Sequence, residues 1–392
     1  MKTKGDLDFR WVGSIREVGR EAWNALAVPA ETPFLEYEWL ELLETSRSVA
    51  PVTGWEPRFL AAYRDGNLAA AVPLYLKTHS EGEFVYDYFW AEAAGALKTP
   101  YFPKLVGMSP ATPAAAFQFL IDAAEDATKT TAALCREIVR FCREQGIPGI
   151  HFQYANSGWV DAFREQGFSL WEHPCYLWVN NGYSSFDEFL SVFSKNGRRN
   201  VRREEKSLAG RGVTVCLLAG DEIPPSWHAI MYRYYLATND KFGYWAARYL
   251  TEDFFRGLFR SFRHRLAVSC AFAGDEPEPV GMALLLRKGD RLWGRYWGSR
   301  EYVPELHFNV CYYAPIRWAI ERGVRYYDPG IGGEHKALRG FRAVAGSSLH
   351  YFLDPRLAAL FKTNIGKINL RTRRMIRALN ETVRQKDFAK KG

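Results

Sequence analysis

The chain is poor in the features that would place it in several large classes. Six cysteines in 392 residues, no two closer than seven positions, leave no CxxC and no zinc-ligand spacing. Cys135, Cys142, Cys175, Cys216, Cys270 and Cys311 therefore read as reduced core thiols of a cytoplasmic protein. Long apolar runs are also missing. The longest relevant uncharged run, Leu105 to Ile121, is 17 residues and holds two prolines and a glycine. A spanning helix needs ~20 mostly apolar residues, so no contact with a membrane interior is expected. The opening MKTKGDLDFRW has no apolar core and does not read as a signal peptide. GxxxxGK[ST], GxSxG, HExxH and an EF-hand loop are all absent, and the absences weigh against P-loop, serine-hydrolase and zinc-protease chemistry. The eight histidines are scattered, and no metal site is expected.

What is present is an ordinary globular composition, 47% apolar and 24% charged, long enough for two sizeable cores. Aromatics reach 15%, with 13 Trp and 21 Tyr, residues common around binding clefts. The net charge of +8 is matched by the excess of bases between Lys362 and Gly392, so the rest of the chain is balanced. A second basic cluster, SKNGRRNVRREEK, carries Lys195, Arg198, Arg199, Arg202, Arg203 and Lys206 against Glu204 and Glu205. Two basic segments on a balanced body suit a polyanionic partner, while a solvated tail and helix face are the plainer reading.

A strand pattern recurs. RFLAAY, the turn RDGN, LAAAVPLYLK and the aromatic run FVYDYFW are echoed by RLAVSCAF, AGDEPEP, VGMALLLRK and RLWGRYW. Arg58 to Trp90 and Arg265 to Trp297 both span 32 positions, aligning DYFWAEA with GRYWGSR. Each half continues with a helix, a glycine stop and a strand: TAALCREIVRFCREQG then GIHFQY, and NVCYYAPIRWAIERG then VRYYDPG. Such a crossover delivers a parallel strand. Two related α/β units are expected, with boundaries at 1–180, 181–353 and a basic helical tail over 354–392. FREQGFSLWEHPCYLWVN is expected as the last strand of the first unit, and 184–210 as a basic helical segment opening the second.

Three stretches carry chemistry. In YYDPGIGGEHKALRGFR, a strand ends at Asp328 and the glycines permit a tight turn. A helix starting near Glu334 would aim free N–H groups at an anion or oxyanion. Lys336, Arg339 and Arg342 follow at three-residue spacing on one face. In GRYWGSREYVPELHFNVCYY, His307 opens the crossover helix; a histidine is the usual base near neutral pH, though one at a helix start is often a packing residue. In KTHSEGEFVYDYFW, Lys77, His79, Ser80, Glu83 and Asp87 lie where the pattern calls for burial, so they need partners or line a cleft.

The segments PLYLKTHSEGEFVYDYFW, YFPKL, RRNVRREE, GRYWG, LHFNVCYY and GEHKALRGF resemble the FemAB-like family, once labelled peptidoglycan biosynthesis or recognition proteins. The resemblance runs from about Phe34 to Leu353. It implies a tandem pair of GNAT-like acyltransferase domains, each a mixed, mostly antiparallel sheet flanked by helices. Better-known relatives move an amino acid from aminoacyl-tRNA onto an amine, and other tandem GNAT proteins use acyl-CoA. The family turn Gly-Ala-Gln-Gly is here Gly330-Ile331-Gly332-Gly333, which removes a glutamine hydrogen bond. After GRYWG, SREYVPELHF lacks the closely spaced glycines of an acyl-CoA pyrophosphate loop.

The leading expectation is thus an N-acyltransferase moving an aminoacyl group from aminoacyl-tRNA to an amine on a small molecule or peptide, with no tightly bound cofactor. An acyl-CoA-dependent enzyme and a non-catalytic recognition protein are the alternatives. His335 or His307 would handle the proton, with Glu334 as orienter or alternative base. Gly332 and Gly333 would stabilise the oxyanion, and Lys336, Arg339 and Arg342 would hold a phosphate or carboxylate. Lys77, His79, Glu83, Asp87, Trp90, Arg295, Tyr296, Trp297, Tyr312 and Asp328 would complete the substrate site. Arg198, Arg199, Arg202 and Arg203, with Arg373, Arg374, Arg377 and the other C-terminal bases, would grip tRNA.

Overall fold

A computed structural model describes residues 5–243 and 246–388, with side chains up to 381. The chain divides into two compact units, Met1–His173 with Gly346–Arg373, and Pro174–Ala345 with Arg374–Gly392. The partition differs from the expected 1–180, 181–353 and 354–392: each unit takes chain from two places, and residues of the expected tail fall in both.

Unit 1 begins with eight strands: β1 (Asp8–Val12), β2 (Trp55–Pro57), β3 (Phe59–Arg64), β4 (Asn67–Val72), β5 (Leu74–Lys77), β6 (Lys104–Gly107), β7 (Leu120–Ile121) and β8 (Gly149–Ala155). β1, β3, β4 and β7 form a small antiparallel sheet. The β3–β4 hairpin turns at Asp65-Gly66, both with positive φ (49° and 82°), as a two-residue turn of this hand requires. Pro73, with no N–H to give a ladder, separates β4 from β5. In the second sheet β2, β5 and β6 run antiparallel and β8 lies parallel to β6. Helix Ala127–Glu144, capped by Asp126, provides the crossover and buries Leu134, Cys135, Ile138 and Cys142 beneath Ile150 and Phe152.

Unit 2 contains β9 (Ser169–Val179, through its second half), β10 (Val213–Ala219), β11 (Leu266–Ala273), β12 (Gly281–Lys288), β13 (Arg291–Ser299) and β14 (Tyr326–Asp328). β10 to β13 are antiparallel, β14 is parallel to β13, and Trp178–Val179 of β9 pairs antiparallel with β14. The crossover is helical from Leu306 to Glu321, with a π-helical turn at Asn309–Tyr313. The last strand, β15 (Arg342–Phe352), pairs antiparallel with β8 through Ser347–Phe352, which holds the returning chain in unit 1. Helix Pro355–Phe388 follows.

The two units share a plan: an antiparallel pair (β5–β6, β12–β13), a helical crossover to a parallel strand (β8, β14), then an antiparallel strand (β15, β9). The architecture is a mixed α/β one, with the same plan used twice. The residue alignment behind that expectation is wrong in one place. FVYDYFW is no strand: it leads into helix Tyr88–Ala96, and β6 is the counterpart of β13. The alanine-rich AEAAGA that follows favours helix, and Glu83 and Asp87 turn inward to a lysine. The cysteines also depart from the uniform core expectation. Cys135, Cys142, Cys270 and Cys311 are buried, Cys175 is half-buried and Cys216 is exposed.

Candidate functional site

The site in unit 2 is assembled at the carboxyl end of β14. Asp328, the last residue of that strand, receives Arg295 from neighbouring β13, Nη2 to Oδ2 3.0 Å and Nη1 to Oδ1 3.4 Å. The other carboxylate role of Asp328 is local: Gly330 N–H donates to its Oδ1 at 2.8 Å and begins the turn. Gly330, Gly332 and Gly333 all have positive φ, from 73° to 84°. The Lys336 ammonium then closes the loop from inside, donating to the carbonyls of Gly330, Ile331 and Gly332 at 2.9, 2.9 and 2.6 Å. Lys336 is buried, and burial lowers its pKa to about 8 against the opposing charge of Asp328. Its partners are thus the turn's own carbonyls. The segment Glu334–Arg339 is a six-residue 3-10 helix rather than the α-helix start expected.

His335 projects from this segment, half-buried, with Nε2 2.9 Å from the Tyr312 hydroxyl. Burial, reinforced by the charges of Arg339 and Lys336, lowers the His335 pKa and keeps the ring neutral. Tyr312, raised by its own burial, stays protonated, and its hydroxyl oxygen can accept from Nε2–H, which leaves the lone pair on Nδ1. The ring lies so close over Gly333 that a Cβ there would meet Cε1 at 2.4 Å, so this position needs glycine for space as well as for φ. His307 comes to the same place, its ring centroid 5.7 Å from His335 and 4.4 Å from Trp297. Burial pushes its pKa down to about 3, with the charges of Lys336 and Arg339 and the His335 ring acting the same way.

Arg339 is buried and held by three groups. Nη2 bonds Glu204 Oε1 at 2.9 Å, Nη1 bonds the His335 carbonyl at 3.1 Å, and Cζ sits 3.3 Å over the Phe308 ring. Glu204 also accepts from the Tyr313 hydroxyl. Glu334 and Arg342 are exposed. Along β13, alternation sends Arg295 and Trp297 to the site side and Tyr296 to the other, against Tyr235 and Phe255.

Helix Lys195–Ala209 buries Val201, Glu204 and Leu208 at helical spacing. Its outer face carries Lys195, Arg199, Arg202, Arg203 and Lys206, and with Arg198 these line a groove of about 590 Å³. Arg202 pairs with Asp187 at 3.1 Å, and Arg198 donates to the Phe193 carbonyl at 2.6 Å. Among the described residues, Lys195, Arg199, Arg203 and Lys206 have no ion-pair partner. Arg374 and Arg377 are exposed. Arg373 is committed to Glu172 of unit 1 by two bonds of 2.6 and 3.0 Å. Lys390 and Lys391 lie outside the described residues.

The polar residues expected in unit 1 are sunk in its interior. Lys104, fully buried, donates to Ser80 Oγ (2.8 Å), Glu83 Oε2 (2.9 Å) and Asp87 Oδ2 (2.5 Å). Tyr101 donates to Asp87, and Gln153 to Glu83. Burial raises the Glu83 pKa; for Asp87, Lys104 and the other donors outweigh burial and lower it. Lys77 donates to the Glu81 carbonyl at 3.0 Å and lies 3.8 Å over Trp55; burial lowers its pKa to about 7. His79 accepts from Glu81 N–H at 3.2 Å, and Trp90 packs on Phe361. A histidine chain, His151 to His350 (2.7 Å), His350 to Ser348 (2.8 Å) and Ser348 to His173 (2.6 Å), adjoins this cluster. Burial keeps all three rings neutral. None of the chain, nor Lys104, nor Glu204 was singled out from sequence. The signal was there for His151: in GIHFQY it alternates with Gln153 in an otherwise apolar strand.

Among the described residues, no group of His, Cys, Asp or Glu is arranged to hold a metal, and no helix is long and apolar enough to cross a membrane. No curated protein sequence matches the chain. Solved structures do. FemX matches at 14% identity over 90% of this chain and 99% of its own, with a TM-score of 0.54. The C-terminal domain of a putative lysylphosphatidylglycerol synthetase from Agrobacterium fabrum matches at 10% identity over 90% and 97%, with a TM-score of 0.53. A tandem GNAT protein from the clavulanic acid biosynthesis pathway matches at 10% identity over 89% and 99%, with a TM-score of 0.44. The first two likenesses show the fold. The FemAB-like family, described as peptidoglycan biosynthesis/recognition, matches residues 14–387, and the chain belongs to that family.

Proposed function

We propose that this chain is an N-acyltransferase that moves an aminoacyl group from aminoacyl-tRNA to the amine of a small molecule or peptide, with unit 2 carrying the reaction. The observation that carries this reading is His335. It is neutral, half-buried and bonded through Nε2 to Tyr312, on a glycine turn clamped by Lys336 and by Arg295–Asp328. A neutral imidazole near pH 7 can take a proton from an attacking ammonium or amine. In the step proposed, the amine nitrogen bonds the ester carbonyl carbon and the bond from that carbon to the ribose oxygen breaks. The amine proton passes to His335 and then to the departing ribose hydroxyl. His307, with a pKa near 3, packs His335 in place rather than exchanging protons. Glu334 stays exposed at the mouth of the turn, with Arg342 nearby in sequence as a free cation for a phosphate or carboxylate. Lys336 and Arg339 act indirectly, by shaping the turn and fixing the His335 backbone. The unpaired bases of the Lys195–Ala209 helix supply the polyanion face.

The test is transfer of a labelled amino acid from charged tRNA to a panel of amines, alongside tRNA binding over a salt series. Each neutralised phosphate contributes a slope of roughly −0.7 to −0.9 in log K against log salt. Arg199→Glu with Arg203→Glu is expected to reduce that slope by about 2, and His335→Asn to abolish transfer while binding persists. Salt-independent tRNA binding overturns the reading. So does stabilisation by acyl-CoA esters with no response to tRNA, which assigns the acyl-CoA donor instead.

A further inference from the structure

Cys216 on β10 and Cys270 on β11 stand directly opposite each other in antiparallel register, their sulfurs 3.4 Å apart. Sequence spacing hides this pair, because 54 positions separate the two residues. Directly opposed residues of antiparallel strands have Cα atoms ~4.5–5.5 Å apart. That range falls inside the ~4.4–6.8 Å that a disulfide spans. Joining the sulfurs therefore asks for side-chain rotation and not for movement of strands. Access is built in as well: β10 is the outer strand of the unit 2 sheet, and Cys216 is exposed while Cys270 is buried behind it.

We propose that Cys216 and Cys270 form an oxidisable dithiol site that takes hydrogen peroxide or a related hydroperoxide as its oxidant. Cys216 is the attacking sulfur, since it alone of the two meets solvent. The hydrogen bond between the two sulfurs lowers the Cys216 pKa, which favours its thiolate. By contrast, burial raises Cys135 and Cys142 to about 12. In the first step the Cys216 thiolate bonds one peroxide oxygen, the O–O bond breaks and hydroxide leaves. In the second, Cys270 sulfur bonds the sulfur of the Cys216 sulfenic acid, the S–O bond breaks, and the Cys270 proton leaves with the hydroxyl as water. Sulfur loses two electrons overall, and peroxide is reduced to two molecules of water. The product clips β10 to β11, and a thiol reductant returns the dithiol.

The experiment treats the full chain with one to five equivalents of hydrogen peroxide at pH 7.5, blocks remaining thiols, and maps tryptic peptides without reduction. Cleavage yields Gly212–Arg233 and Leu266–Arg287, each with a single cysteine. The expected result is loss of two titratable thiols and a disulfide between those two peptides, reversed by dithiothreitol. Cys270→Ser is expected to leave a sulfenic acid at Cys216 that dimedone captures. The wild-type map stands alone if that variant fails to fold. All six thiols remaining titratable, oxidation starting at Cys175, or Cys216 proceeding to sulfinic acid without the cross-link would each overturn the proposal.

Discussion

Removing Glu204 should cost more than any surface ion pair could. Its carboxylate and the Arg339 guanidinium each keep only 10% of their side-chain exposure, and they meet at 2.9 Å. Glu204→Leu leaves a guanidinium enclosed by Phe308, the His335 carbonyl and apolar neighbours, with no anion. Stranding one member of such a buried pair costs ~3–5 kcal/mol. The Tyr313 hydroxyl loses its acceptor as well, worth ~1 kcal/mol. For a unit of this size, roughly 2–4 °C per kcal/mol turns a loss of ~4 kcal/mol into a fall of roughly 8–16 °C in the unit 2 transition. Arg339→Met should cost a similar amount, because it strands the carboxylate. Glu204→Leu with Arg339→Met removes both charges, and should lie within ~2 kcal/mol of wild type and well above the sum of the singles. Calorimetry and urea unfolding followed by tryptophan fluorescence measure all four proteins. If Glu204→Leu costs under 1 kcal/mol, or the double variant equals the sum, the pair is not the enclosed unit described and the anchoring of His335 through Arg339 fails with it.

Other expectations concern buried charge. Lys104→Met leaves Glu83 and Asp87 buried without their cation, so a loss of ~3–5 kcal/mol at pH 7 is expected. The loss should shrink toward pH 5 as a carboxylate takes up a proton; a pH-independent loss would contradict the arrangement. His307 is neutral in the folded chain down to about pH 3, whereas the unfolded ring binds a proton below about 6.5. Its stability contribution is therefore complete above pH 6.5 and is lost on the way to pH 3. Between pH 7 and 4.5, His307→Phe should lose ~2–3 kcal/mol less than wild type in urea unfolding, and equal losses would refute the burial argument. Lys77, which gives up its proton near pH 7 when folded but near 10.5 when unfolded, makes wild-type stability rise with pH across that window. Lys77→Met should flatten the rise, by up to ~1.4 kcal/mol per pH unit.

The elements that could be read ahead were those whose own residues decide them. Asp65-Gly66 forces its hairpin, Leu134, Ile138 and Phe141 mark a helix by spacing, and the glycine stops end both crossovers. The duplication was legible because each half repeats that order of strand, crossover and strand. Its residue alignment failed at FVYDYFW, where local β preference for aromatics lost to two carboxylates drawn toward Lys104, 17 and 21 positions away. The same limit explains the rest. Lys336 and Arg339 sit on one side of a predicted helix and look like a cationic face, yet their partners are carbonyls that the turn creates and a glutamate 135 positions distant. A charge reads as exposed when its neutraliser is remote in sequence. Cys216 and Cys270 were missed for the same reason.

The two units, alike in topology, place polarity oppositely, and that difference argues for one reactive unit. In unit 1 Lys77, Glu83, Asp87, Lys104, His151 and His350 have no more than 2% exposure, and Lys104, Glu83 and Asp87 spend their charges on one another. In unit 2 the equivalent investment goes into a scaffold: Arg295–Asp328, Lys336 and Arg339–Glu204 each tie down the backbone or packing around one half-buried imidazole. A group that must trade protons with a substrate has to combine a fixed position with access to solvent. His335 has both. His151 and His350 have rigidity without access, and His307 is locked neutral far below working pH. The glycine at 333 fits this division of labour, since a larger residue there would displace the ring that the surrounding ion pairs hold still. Gly333→Ala should accordingly lower turnover far more than tRNA affinity. Equal loss of both would place the turn in donor binding and return the proton step to the substrates themselves.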